Sequence, residues 1–444
     1  MFSWLPLKFF QILFGFVAFF IFPFASLQAF DIQTVTSKKG IQAWLVEDHQ
    51  VPIFSLAIGF SGTDSDPSSK LGLANFTMSM LTEAAGSSPY LEFQEKLDNL
   101  AIESSSSAGR DSVVIQIRGL SKFRGDTFDV LNKILLLPRF DPTDIERNQR
   151  QYQAYFRRQQ EDPGNIAAEN WNQLFFPDHP YGNPSYGNNQ SILGLTAADM
   201  KKFVASNFTL ENIKIVVVGD ITAAELATLL DQTFGSLPSK KPASPHQQSI
   251  PGQAGVFYFP LDVSQTTIVF GQSGFDRKDP DYITGYLLNE IMGGGGLFSS
   301  RLMRKIRVER GFTYGVSTSL FPLDYGSVLS GSFATAAEHT DEVIALVRGE
   351  WQEMASNGPT AEELELAKVH MIGSFPLRFE STWSTAASLL SLQMNGFAKE
   401  YITGGRQKLI EGVTLKDAKR VANRLFQPDR LLFTVVGPTA PQSK

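Results

Sequence analysis

Leu195–Asp220 reads LTAADMKKFVASNFTLENIKIVVVGD, and Val413–Pro438 reads VTLKDAKRVANRLFQPDRLLFTVVGP. Thr196 and Thr414, Asp199 and Asp417, Val218 and Val436, and Gly219 and Gly437 all stand 218 positions apart. In each copy a Thr with an Asp three residues on is a helix N-cap signal. Apolar residues at helical spacing follow, then a short loop, then an apolar run that ends at Gly. The pattern predicts an amphipathic helix, a turn and a buried strand, used twice. A second echo lies upstream, where Pro142-Thr143 and Pro359-Thr360 each precede a long helical stretch (Asp144 to Gln160 and Ala361 to Gly373) at a spacing of 217. Two separate elements sharing one period mark an internal duplication.

Working outward, each half opens with strand-like runs. Ile41–Val46, Ile53–Ile58 and Ser112–Arg118 belong to the first half; Val256–Pro260, Thr266–Phe270 and Gly326–Ser332 belong to the second. Strands and helices mix without strict alternation, so the fold class is α+β: two homologous domains, each a mainly antiparallel sheet with helices packed on one face. The stretch SLPSKKPASPHQQSIPGQ, rich in Pro, Ser, Lys and Gln, reads as a linker over 236–253 between an N-terminal domain (30–235) and a C-terminal domain (254–444).

Composition narrows the chemistry. The chain has no cysteine, which excludes disulfides, thiolate metal sites and cysteine nucleophiles. A net charge of −6 gives no basic field for nucleic acid. Residues 1–29 carry one charge, Lys8, and run almost entirely apolar from Phe9 to Phe24 before small residues ending at Ala29. This is the pattern of a secretory signal peptide cleaved after Ala29, with an uncleaved N-terminal anchor as the alternative. No later segment reaches the roughly 18 apolar residues of a membrane span.

The first long helix of the N-terminal half, GLANFTMSMLTEAA from Gly72 to Ala85, follows two strands and a polar loop. It resembles the motif helix of the insulinase/pitrilysin family of zinc peptidases, which includes the mitochondrial processing peptidase subunits. In that family the helix begins G-x-A-H-F-x-E-H-M, with two zinc-binding histidines on one face and a general-base Glu between them. Gly72, Ala74, Phe76 and Met80 align, but the three chemical positions hold Asn75, Met78 and Ser79. An amide and a hydroxyl are poor zinc ligands, and a thioether takes no proton from water. The resemblance places a third ligand, a Glu, on the Asp144–Gln160 helix, where Gln153 stands near the expected position. The five histidines (His49, His179, His246, His339 and His370) form no H-x-x-E-H or H-E-x-x-H pair. Each reads more simply as a surface or core histidine, His179 as a loop-shaping residue, and Glu83 as a solvated helix-end carboxylate.

The second half keeps more of the family pattern. Gly293, Gly294, Gly295 and Gly296 lead into LFSSRLMRKIRVERGFTY, ending at Tyr314. This resembles the family's second-domain signature, in which an Arg and a Tyr seven apart bond the carbonyls of bound peptide; Arg307 and Tyr314 match. A guanidinium and a phenol are suitable donors for an extended peptide, and four glycines permit close backbone approach. The plainer reading is a core helix whose stripe Phe298, Leu302 and Ile306, with Met303 beside it, packs inward. On that reading its arginines are a solvated face, with Arg301 purely structural.

The resemblance spans about residues 30–439. It implies a clamshell of two domains and a non-catalytic subunit of a heteromeric zinc peptidase. Such a subunit binds no metal itself, and zinc is expected in a homologous partner chain. It would orient extended or unfolded peptides for hydrolysis there, in the periplasm if the source is Gram-negative. The alternative is a stand-alone peptide-binding or scaffold protein of the same fold.

Overall fold

The computed structural model describes residues 31–62, 68–240, 252 and 254–438. The expected signal peptide, His246 and most of the expected linker lie outside these residues. Six strands form the first sheet: β1 (Gln33–Thr36), β2 (Gln42–Glu47), β3 (Ile53–Ser61), β4 (Glu103–Ala108), β5 (Ser112–Leu120) and β6 (Ile213–Gly219), in the order β1-β2-β6-β3-β5-β4. Five form the second: β7 (Gly255–Pro260), β8 (Thr266–Ser273), β9 (Val316–Phe321), β10 (Val328–Thr335) and β11 (Leu432–Gly437), in the order β7-β11-β8-β10-β9. Leaving out β1, the two orders are the same. Among the described strands the parallel pairs, β2 with β6 and β7 with β11, occupy equivalent places. Topology therefore repeats the duplication read from the sequence, with β6 and β11 as matched copies.

Helices α1 (Leu73–Leu81), α2 (Tyr90–Asn99), α3 (Arg124–Leu136), α4 (Pro142–Gln159), α5 (Pro163–Phe175), α6 (Asn189–Leu193), α7 (Ala197–Asn207) and α8 (Ala223–Phe234) belong to the first half. The second half holds α9 (Tyr282–Met292), α10 (Thr340–Asn357), α11 (Ala361–Ser374), α12 (Thr382–Met394), α13 (Arg406–Glu411) and α14 (Leu415–Leu425). The capping signals behave as expected. Thr196 caps α7 by accepting from Asp199 N, and Thr414 caps α14 by accepting from Asp417 N, each worth about 1 kcal/mol.

The α+β class is observed, with one addition. Each half covers one face of its own sheet with its own helices and lends one helix to the opposite face of the other half's sheet. Helix α5 packs on β8 and β11; Trp171 Nε1 donates to Leu432 O at 3.3 Å, and Thr434 Oγ1 donates to Ala167 O at 2.9 Å. Helix α12 packs on β3 and β6; the Ser55 and Thr382 hydroxyls bond at 2.9 Å, and Gln116 Nε2 donates to Trp383 O at 3.4 Å. Two-sided cover explains why Phe54 through Phe60 of β3 are all buried, without the alternation of a sheet wet on one face. The first residues of the 236–253 stretch are not free of the first half: Leu237 is buried in its core, and Leu210 N donates to Pro238 O at 2.9 Å.

Candidate functional site

Helix α1 begins at Gly72, whose φ of +84° is left-handed; a Cβ there would sit 2.5 Å from Tyr186 O. Glycine is required for this close approach. The three motif positions that follow are occupied by internal contacts. Asn75 Nδ2 donates to Ser185 O at 2.9 Å, and Ser79 Oγ donates to Phe76 O at 2.9 Å. Met78 is 1% exposed and belongs to the core, while its carbonyl accepts from Ser106 Oγ on β4 at 2.5 Å.

Facing this helix is an aromatic cluster that sequence reasoning missed. Tyr152 of α4 meets Phe76 edge-on at 5.1 Å between ring centroids, and Tyr186 closes on Tyr155 at 5.4 Å. Burial pushes the Tyr152 phenol up to about 12, partly offset by its hydrogen bond with Ser79. The signal was present in QYQAYF, residues 151–156, with aromatics at i, i+3 and i+4 on one helix face. Glu83 is not the solvated carboxylate expected. It pairs with Arg147 of α4, whose other nitrogen holds Asp144 at 2.6 Å. A charged neighbour one helix away supplied what the sequence alone did not show.

In the second half, Gly293 and Gly294 end α9, both donating to Asn289 O, at 3.0 and 2.8 Å. Gly293 O accepts from Thr318 N of β9 at 3.0 Å, so these two glycines are stitched to the sheet. Gly295 and Gly296 follow with φ of +61° and +65°, left-handed values that glycine adopts without strain. Together with Arg307 they line an open cavity of about 760 Å³. Its floor is β8, β9 and β10 through Val269, Ser317 and Ser332, and one wall is α5 through Gly164 and Ala168. Among the described residues Arg307 is the one charged residue in this lining.

The structure thus brings Gly295, Gly296 and Arg307 to one cavity and builds Gly293 and Gly294 into its frame. Tyr314 is 85% exposed and is not part of that wall. The expected inward stripe holds for Leu302, Met303 and Ile306, all buried, but fails at Phe298, which is 61% exposed. Phe298 lies under the guanidinium of Arg307, 4.4 Å from carbon to ring centroid, a cation–π contact that fixes the arginine's plane. Phe298 stands in the turn before the helix that carries Arg307, which is wound as a π-helix over Met303–Val308. Arg301 is structural, as expected: it forks onto Glu363 at 2.8 and 2.7 Å and donates to Gly358 O.

The described histidines stand apart from one another. His49 bonds Asp220, His370 bonds Glu290 at 2.7 Å, His339 stacks on Phe312, and His179 accepts from Tyr181 N. Among the described residues no three His, Asp or Glu side chains gather as a metal ion would need, and no helix is long and apolar enough to cross a membrane. Strand β4, an edge of the first sheet, presents Glu103, Ser105 and Ser107 to solvent beside α1.

Residues 48–189 match the pattern described as insulinase (peptidase family M16), and residues 194–369 match that described as the peptidase M16 inactive domain. A non-peptidase homolog, YmxG, of Helicobacter pylori is 26% identical over 88% of this chain and 90% of its own length. The beta subunit of the mitochondrial-processing peptidase of Blastocladiella emersonii is 20% identical over 85% of this chain and 82% of its own. The crystal structure of a peptidase M16 inactive domain from Pseudomonas fluorescens superposes with a TM-score of 0.87 at 27% identity, covering 93% of this chain and 99% of that one.

Proposed function

The chain belongs to the insulinase family of peptidases, family M16, and from that premise we propose that it is a subunit that holds peptides without cutting them. The observation that carries this reading is the contrast between its two halves. Asn75, Met78 and Ser79 stand at the motif positions, and each is committed to an internal contact. Arg307, Gly295 and Gly296 instead line an open cavity whose described wall holds no competing carboxylate. The name of the Helicobacter pylori relative, a non-peptidase homolog, agrees with a chain that does no hydrolysis itself. Resemblance to a processing-peptidase subunit supports a homologous zinc-bearing partner.

In this role the guanidinium of Arg307, its plane set by Phe298, donates to backbone carbonyls of an extended peptide. Tyr314, largely exposed, adds a phenolic donor. Strand β4 stands at a sheet edge, where an extended ligand of the same kind can add as a further strand. Fixing the peptide's orientation removes entropy from attack by water on the partner's zinc. The leader-like sequence at residues 1–29 supports a setting outside the cytoplasm for this work.

The test is reconstitution. The pure chain should hold no stoichiometric zinc and cleave no peptide, and adding a zinc-bearing homologue should produce turnover. Arg307→Ala should lower that turnover by roughly tenfold, the scale of one lost charge-assisted contact; Tyr314→Phe should lower it less. Unchanged activity of the R307A pair would sink the peptide-holding role. Peptide binding without any gain from a zinc-bearing homologue would favour a stand-alone binding protein.

A further inference from the structure

A second cavity, of about 430 Å³, lies where the two halves meet at the turn between β4 and β5. It differs from the Arg307 cavity in that two guanidiniums line it, from Arg110 of that turn and Arg277 of the loop after β8. Neither has a carboxylate within ion-pair distance among the described residues. Arg110 makes one hydrogen bond, from Nη1 to Asn183 O at 2.9 Å. Burial lowers its pKa, the signature of a guanidinium held away from water, with Tyr181 and Asp111 offsetting part of the effect. Arg277 Nε is buried and has no hydrogen-bond partner. Its guanidinium carbon lies 6.0 Å from the centroid of the Tyr282 ring. An arginine left so incompletely bonded inside a cavity is poised for an acceptor that arrives with a ligand.

The remaining wall decides which anion fits. Asp111 is already engaged, accepting from the Tyr181 phenol on one oxygen and from Asp324 N at 3.2 Å on the other. Asp111 and Asp324 also line the cavity, and carboxylates in the lining disfavour a phosphate dianion more than a single carboxylate. Leu323 and Leu390 give an apolar side that an inorganic anion would leave unused. A monoanion with a small apolar body matches all three features, and the C-terminal end of a peptide has that chemistry.

We propose that the cavity lined by Arg110 and Arg277 binds the carboxylate terminus of a peptide, a recognition point separate from the Arg307 cavity. The peptide-holding role supplies only the source of the carboxylate; the site itself stands on the two guanidiniums and the wall around them. It would make the chain read where a peptide ends, through the charge that a peptide amide lacks.

The experiment uses the full chain and a probe too short to span both cavities: N-acetyl-alanyl-alanine and its C-terminal amide, compared by ligand-observed NMR. The free acid should bind at least ~10-fold more tightly than the amide, as expected for a charge-assisted contact. Arg277→Gln should abolish that difference without moving the thermal midpoint, while Arg307→Ala should leave it intact. Equal binding of acid and amide, no binding of the acid, or tighter binding of inorganic phosphate than of the acid would each overturn the proposal. The acid–amide comparison on the unaltered chain is decisive even if R277Q folds poorly. A longer peptide that fails to bind would count against the Arg307 role and leave this result standing.

Discussion

At Met78 the side chain is 1% exposed, on the helix where relatives with an intact motif place a catalytic glutamate. If this position is now core, Met78→Glu buries a carboxylate without a partner and should destabilise the chain by about 3 kcal/mol or more, read from the urea midpoint. A small effect would mean that the position still faces open space. Asp281 offers a test with a pH signature. Arg420 grips both its oxygens at 2.9 and 2.7 Å, and Arg424 adds a bond at 2.7 Å. The Arg420 hydrogen bond, with help from Arg424 against burial, holds the carboxyl at about 2, below its ordinary 3.8. The folded state therefore binds fewer protons than the unfolded one. The stabilisation is present above pH 3.8 and fades as pH falls through about 2. Both arginines are about half exposed, so Asp281→Asn should lower stability by about 1 kcal/mol at pH 7, and the deficit should vanish near pH 2.

Among elements, the exchanged helices are the least expected part of the structure. Trp171 on α5 is 3% exposed, stacks on Phe175 and bonds a strand of the other half. Trp171→Ala should cost about 3–5 kcal/mol, whereas Leu91→Ala at a 78% exposed site should stay within about 0.5 kcal/mol; denaturant midpoints decide both. The duplicated helix–strand units were legible from their caps and apolar period, the strand-like runs from their apolar residues, and the motif helix from its apolar spacing. The exchange was not, because an apolar helix face looks the same whichever sheet it covers. Strand β4, ESSSSA, has no apolar alternation and left no signal; its place is set by pairing with β5. At the site, the family resemblance, rather than periodicity, pointed to the glycines and Arg307. Phe298 could not be placed, since it falls in the turn before the helix, where the stripe that periodicity assumes has not yet begun.

For the whole molecule, the exchange makes the halves mutually dependent. If a protease site inserted in the expected linker (236–253) is cut, the two fragments should still elute together in gel filtration without denaturant. Separation of the fragments would show that α5 and α12 do not hold the halves together. The same exchange also sets an order in time. A chain made from its N-terminus completes every strand of the first sheet by Gly219, yet the helix that covers the far side of β3 and β6 begins only at Thr382. Throughout that interval the nascent first half carries a bare apolar face, so its folding must wait for the end of synthesis or be shielded until then.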